Sequence, residues 1–204
     1  MYHRYNQTWK NERCIESPLV KSIVDSERGK ILEIGNVLSH YYTAAWDVLD
    51  KFDKGKNIIN EDIAYFNPQN KYDLIISIST FEHIGFDDDL SGFKNSAVKI
   101  EKSFNNTFNN ALKNNGKIVI SAPIGYNPDM DRIIFGNKLK FDEQYFYMRI
   151  TDRKWVQVNE EEAVGTKFNS PFQYANCIFI GIKKKKELRQ FTTKHCLIAS
   201  SQLR

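Results

Sequence analysis

Long apolar runs are missing from this chain of 204 residues; none approaches the roughly 18 residues that a membrane span needs. The first thirty residues also lack a basic start followed by an apolar block, so no secretion signal is expected and a cytoplasmic location is. Cysteine is scarce. Cys14, Cys177 and Cys196 form an odd, scattered set without C-x-x-C spacing, which argues against a disulfide framework and against a zinc site. His3, His40, His83 and His195 show no metal-ligand spacing, and no Ser-His-Asp constellation stands out. Neither a metal nor a covalent mechanism is expected. The G-x-G-x-x-G signature of dinucleotide sites is absent as well.

What is present suits one domain with a real core: 41% of the residues are hydrophobic and 13% aromatic. The net charge of +4 is unevenly spread. Residues 183–204 hold seven basic residues and one acid, leaving residues 1–182 with 22 basic against 24 acidic. A body near neutrality lacks the basic face that neutralises phosphates, so a nucleic-acid partner is not expected. The reading is a domain over residues 1–182, with an arm and helix over 1–29 and a core over 30–182, followed by a solvated basic tail over 183–204. Oligomeric state is left open.

The core is organised around residues 30–39. Ile31, Leu32 and Ile34 give the near-continuous hydrophobicity of a strand covered on both faces. Gly35 then removes the side chain where the chain bends, which lets a ligand approach bare backbone. Ahead of it, Ser17-Pro18 reads as a helix start, with Leu19, Val20, Ile23 and Val24 at helical spacing and Gly29 as the stop. Residues 1–16 are an arm placed to fold over the site.

After the opening strand, residues 37–45 predict a short crossover helix of about two turns, at the 3.6 residues of each α-helical turn. Trp46 to Leu49 resumes as a second strand ending at Asp50, and Ile58-Ile59-Asn60 as a third running into Glu61-Asp62-Ile63. Tyr72 to Ser79 is the strongest strand, central and parallel. Asp87, Asp88 and Asp89 favour the start of a helix. Its apolar stripe is Phe93, Ala97, Ile100, Phe104, Phe108, Ala111 and Leu112, and Asn114-Asn115-Gly116 ends it. A strand from Lys117 to Ala122 follows, then a loop or lid over 124–147 with a short helix, then strands over 153–158 and 175–183. Strand and helix alternate and then end in strands, the pattern of an α/β sheet, mostly parallel with an antiparallel edge.

In this order the features resemble the class I S-adenosylmethionine-dependent methyltransferases. The pieces are Leu32-Glu33-Ile34-Gly35, the acid Asp50, Glu61-Asp62-Ile63, Tyr72-Asp73-Leu74-Ile75-Ile76-Ser77, Phe81-Glu82-His83-Ile84 and the run from Leu112 to Ile120. They cover about residues 30 to 182, and the chain looks most like small stand-alone methyltransferase-domain proteins. The resemblance implies a Rossmann-like three-layer sandwich, its mostly parallel sheet of seven strands having the last one antiparallel, with S-adenosylmethionine across the strand ends.

By the same resemblance Glu33, Gly35 and Asn36 would sit beside the cofactor's methionine moiety. Asp50, with Lys51 next to it, would hold the ribose, where a carboxylate accepts from two vicinal hydroxyls. Asp62 and Ile63 would meet the adenine. Ser79 would line the cofactor, and Thr80, Tyr126 and Asn127 the acceptor. His83, oriented by Glu82, is the residue suited to taking a proton. Each also has a plainer reading: strand-end acids, a turn glycine, a loop aspartate, turn residues around Pro123, Gly125 and Pro128.

The Ser79-Thr80-Phe81-Glu82 stretch carries no Pro-Pro-Tyr type motif and no Pro-Cys pair occurs, so nucleobase methylation is not supported. The expected function is methyl transfer from S-adenosylmethionine to a small-molecule or carbohydrate-like acceptor by direct displacement. Gly35 is followed by Asn36, Val37, Leu38 and Ser39 where the family has further glycines. That departure motivates an alternative, a non-catalytic binding module of the same fold. A nicotinamide-dependent oxidoreductase, sharing the first strand and an Asp50-type acid, is the weaker alternative.

Overall fold

In the computed structural model, residues 1–87 and 95–187 are described. Their centre is one eight-stranded sheet, formed by β1 (Ile31–Ile34), β2 (Asp47–Leu49), β3 (Ile58–Ile59), β4 (Tyr72–Ile78), β5 (Leu112–Pro123), β6 (Glu143–Arg149), β7 (Trp155–Val158) and β8 (Cys177–Lys184). The order is β3-β2-β1-β4-β5-β8-β6-β7. The first five strands are parallel, β8 runs antiparallel between β5 and β6, and β7 pairs antiparallel with β6.

Side chains alternate across this sheet with period two, so the apolar strands feed two cores. On one face Leu32, Ile34, Ile75 and Ile120 pack with Ile100 and Phe104 of α2 (Ser96–Asn106) and with Met130, Ile133 and Ile134 of α3 (Pro128–Phe135). On the other, Leu74, Ile76, Ile78 and Val119 pack with Val20 and Val24 of α1 (Arg13–Ser26). The result is the expected three-layer α/β sandwich, mostly parallel, with the last strand reversed. A further short helix, α4 (Glu160–Ala163), starts from an Asn159 capping box. Among the described residues no helix is long and apolar enough to cross a membrane.

The sheet has one strand more than the seven expected. The additional strand is β6, in the segment read as a loop or lid. Of its residues only Phe146 and Arg149 are buried, so no clean alternation marks it, yet Phe146 pairs with Phe179 and Val158. Helix α3 lies in the same segment, with Asn127 as its N-cap and Pro128 in its first turn.

Helix α1 begins at Arg13, four residues before the Ser17-Pro18 start signal. A proline inside a helix leaves the carbonyl four residues earlier without its donor. Here that carbonyl, Cys14 O, accepts from the Met1 amino nitrogen at 2.7 Å. The two-turn crossover expected over 37–45 is a single 3-10 turn, Leu38–His40. Helix α2 continues through a π turn, Thr107–Ala111, directly into β5, ahead of the Asn114-Asn115-Gly116 stop. Asp88, Asp89 and Phe93 lie outside the described residues.

The basic segment after residue 182 does not begin as a solvated tail. Lys183 and Lys184 belong to β8, and Lys185 Nζ donates to the carbonyls of Phe108 (2.7 Å), Asn109 (3.2 Å) and Leu112 (3.1 Å). A cation there satisfies carbonyls that the end of the helix leaves open. Residues 188–204, including His195 and Cys196, lie outside the described residues.

Candidate functional site

At the C-terminal ends of β1, β2 and β4 the chain leaves a hollow of about 270 Å³. Open α/β sheets place their ligands at such strand ends. Gly35, Asn36, Asp50, Lys51, Asp62, Ile63, Ser79, Thr80 and His83 all line it, so residues up to 48 positions apart converge on one rim. Leu49, Phe52 and Ile84 add apolar wall, and Phe52 is 58% exposed although it lines the hollow.

Gly35 turns the chain out of β1 at φ +81°. A Cβ at this position would lie 2.1 Å from Thr80 Oγ1, so the two strand ends meet at a distance only glycine permits. Glu33, two residues earlier, is fully buried and lies outside the hollow. Its Oε1 accepts from the amides of Val37 (2.8 Å) and Leu38 (2.5 Å), and its Oε2 from Trp46 Nε1 (2.7 Å). Burial pushes this carboxyl up, and these hydrogen bonds pull it back. Glu33 therefore pins the loop after β1, which has no second glycine.

Asp50 faces the hollow with most of its acceptor capacity in use. Its Oδ1 takes the amides of Phe52 and Asp53 at 2.8 Å each, and its Oδ2 the amide of Asn36 at 3.1 Å. A carboxylate offers about four lone-pair sites, so about one remains for a ligand. Asp62 accepts from the Ala64 amide at 2.9 Å and pairs with Lys51 at 3.1 Å.

The other end of the hollow is built from the turn after β4. Ser79 sits at φ +40°, a region that non-glycine residues seldom occupy, and is nearly buried. Its hydroxyl is within bonding distance of both Glu16 oxygens, 2.8 and 3.1 Å, and Glu16 in turn takes Arg13 at 2.5 Å. Thr80 donates to the Ile78 carbonyl at 3.0 Å.

His83 is half-exposed and clamped. Its Nδ1 is 2.8 Å from Asp87 Oδ1, and the Tyr126 ring packs edge-on at 5.1 Å. The Tyr126 hydroxyl donates to Asp87, and burial together with that carboxylate holds the phenol above its ordinary range. Phe86 and Phe168 close on the same tyrosine at 5.7 and 5.0 Å. Glu82 is 1% exposed; its Oε1 is 3.8 Å from His83 Nε2 and its Oε2 has no partner among the described residues. Burial raises its carboxyl well above the ordinary range.

Asn127 faces inward rather than into the hollow. It is fully buried, its Oδ1 accepts from the amides of Asp129 and Met130, and its Nδ2 donates to the Glu82 carbonyl at 2.7 Å. The residues sequence reasoning missed are Phe52, Asp87, Arg13 and Glu16 of helix α1, and Glu12 just before it. Glu16 shares a helical face with Val20 and Val24, and an acid on an apolar stripe was the available signal. No group of three or more His, Cys, Asp or Glu among the described residues is placed to hold a metal.

No protein-family profile matches the sequence, and no curated protein matches it by sequence. Solved structures do match. N-methyltransferase NodS from Bradyrhizobium japonicum WM9, in complex with S-adenosyl-L-homocysteine, superposes with a TM-score of 0.53 at 12% identity, over 86% of this chain and 88% of that one. NodS without that ligand gives 0.51 at 13% identity, over 86% and 97%. TehB from Haemophilus influenzae gives 0.50 at 15% identity, over 90% of this chain and 65% of TehB. The chain thus has the fold of the class I methyltransferases.

Proposed function

We propose that a chain with this fold and this hollow is an S-adenosylmethionine-dependent methyltransferase acting on a small-molecule or carbohydrate-like acceptor. The observation that carries the reading is the convergence of Gly35, Asp50, Asp62 and Ser79 on one hollow at the strand ends. The residues present fit an adenosyl ligand. Leu49, Phe52, Ile63 and Ile84 offer apolar wall to a flat ring, Asp50 keeps an acceptor site for a ribose hydroxyl, and Asp62 is placed for an exocyclic amine. Thr80 leaves Gly35 no room for a side chain, so the ligand's tail would meet bare backbone there.

When bound, the cofactor supplies an activated methyl group on a sulfonium. The chain's task is then to align the nucleophile, exclude water and accept a proton. Alignment of this kind contributes several of the roughly 7 to 11 kcal/mol available to well-oriented reactions. His83 is the group placed for the proton. With Asp87 holding Nδ1, Nε2 is left as the basic nitrogen, and Asp87 and Tyr126 fix the ring.

A second reading has its own observation. Glu33 occupies the Val37 and Leu38 amides, so the loop after β1 presents few free donors. This favours a module that binds an adenosyl ligand without transferring a methyl.

Thermal shift with S-adenosylmethionine, S-adenosylhomocysteine and NAD, on the wild type and Asp50→Ala, separates the readings. Ligand at 100 times its dissociation constant adds about 2.7 kcal/mol. Stabilisation by the adenosyl compounds that is lost in Asp50→Ala, together with turnover of an acceptor, supports the methyltransferase. Binding with no turnover favours the module, and a response to NAD alone overturns both.

A further inference from the structure

At the C-terminal end of β6 lies a second hollow, of about 510 Å³, which shares no lining residue with the one at the ends of β1, β2 and β4. Met148, Ile150, Pro171 and Phe172 give it apolar wall, Arg149 and Lys167 are its charged residues, and no acid lines it. Arg149 is 8% exposed, and its guanidinium lies over two rings, 5.1 Å from the centre of Phe172 and 5.9 Å from that of Trp155. Its N–H groups donate to the carbonyls of Thr151 (3.3 Å), Asp152 (2.5 Å) and Gln173 (2.9 Å). A guanidinium carries five such donors, so two stay unclaimed.

Among the described residues no carboxylate pairs with Arg149 or Lys167. Asp152 turns its carboxylate to Arg153 at 3.4 Å, and Glu12, which accepts from the Ala175 amide, pairs with Arg13. A buried carboxyl can shed its charge by taking a proton; a guanidinium cannot, so the charge of Arg149 stays in place. Carbonyl dipoles and ring faces offset part of its desolvation without supplying an opposite charge. Asn176, 2% exposed, donates to the carbonyls of Lys167, Phe172 and Tyr174, which holds the rim of the hollow preformed.

We infer that this hollow is a second binding site, for a small organic anion: an apolar or aromatic body that carries a carboxylate or a phosphate. Either group accepts two parallel hydrogen bonds from one guanidinium, which matches the two unclaimed donors of Arg149. Lys167, exposed at the rim, adds a second positive charge, and the apolar wall takes the body of the ligand. The volume is that of an ordinary small-molecule site. A neutral ligand of the same shape would leave the buried charge unanswered. The inference goes beyond the methyltransferase reading and does not depend on it.

Amide NMR titrations of the full chain with phenylacetate, phenyl phosphate and the neutral phenylacetamide test this, on the wild type, Lys167→Glu and Arg149→Lys. The expected result is that at least one of the anions shifts the amides of Thr166, Lys167 and Phe172 and binds at least about tenfold tighter than phenylacetamide. Tighter binding of phenyl phosphate assigns phosphate esters to the site, and tighter binding of phenylacetate assigns carboxylates. Lys167→Glu, at an exposed position, should weaken anion binding at least about threefold, and Arg149→Lys, which keeps a charge and loses the fork, at least about tenfold. Shifts at none of these amides, shifts centred instead on Gly35 and Asp50, or binding of phenylacetamide as tight as that of both anions overturns the inference. So does an anion preference undiminished in Lys167→Glu, whether or not Arg149→Lys folds.

Discussion

Ser79 and Glu16, 63 residues apart, are joined by a buried hydrogen bond of 2.8 Å that ties helix α1 to the end of the central strand. The bond holds Ser79 in a left-handed conformation at the rim of the hollow. Helix α1 is thereby part of the site and not only a cover for the sheet.

Replacing Ser79 separates the two costs. Ser79→Ala and Ser79→Gly both leave Glu16 short of one donor, a loss of about 1 to 3 kcal/mol. Only alanine also keeps a Cβ at positive φ, so it should be less stable than the glycine variant by about 1 kcal/mol. Urea midpoints of the two variants check the order; equal midpoints would show that the backbone at Ser79 is not strained.

Two glycines at nearly the same φ test the close approach at the rim. Gly35 (+81°) faces Thr80 Oγ1 at 2.1 Å from its would-be Cβ, whereas Gly165 (+80°) has nothing within 4 Å. Gly165→Ala should cost only the conformational penalty, about 1 to 2 kcal/mol. Gly35→Ala should cost more and also weaken adenosyl-ligand binding at least tenfold. Denaturation and calorimetry on both variants read the difference.

Asp131 predicts a pH dependence. Its carboxylate accepts from the Gly125 amide at 3.0 Å, and burial raises its pKa from 3.8 to about 6. A carboxyl raised on folding binds more protons folded than unfolded between these values. Its stabilising contribution is therefore complete below about pH 4 and lost as the pH rises through about 6. The stability of the wild type relative to Asp131→Asn should fall between pH 4 and pH 7.5. Melting curves at both pH values measure it, and a gap that stays constant or widens would contradict the assignment.

Proton transfer at His83 should depend on Asp87. His83→Ala is expected to bind adenosyl ligands as the wild type does while turnover falls about 10²- to 10⁴-fold, the usual worth of a positioned base. Asp87→Asn should lower turnover less, because Asp87 holds the ring through Nδ1 and does not itself take the proton. Steady-state rates, measured beside adenosyl-ligand affinity, distinguish this from a structural role, which would weaken binding along with turnover.

The parallel half of the fold was legible because its strands are apolar almost end to end, as in Leu74 to Ile78. Its strand-end residues Gly35, Asp50 and Asp62 were legible for the same reason, since each follows such a run. Three things hid the rest. Ser17-Pro18 carries a start signal in mid-helix, which concealed the turn holding Arg13 and Glu16. Strand β6 is half-buried on both faces and pairs with β8, whose Phe179 is distant in sequence, so no local period betrays it. Glu33 and Asn127 have the residue types of binding groups, and only their neighbours show that the Val37 and Leu38 amides and the start of α3 have claimed them.

The most direct test of the account is a crystal structure grown with S-adenosylhomocysteine at saturation. The account predicts the ligand in the hollow, with its ribose on Asp50, its adenine against Ile63 and Phe52, and its sulfur towards Ser79 and His83. A ligand bound elsewhere, or this hollow empty at saturation with Glu33 still holding the loop, would contradict it.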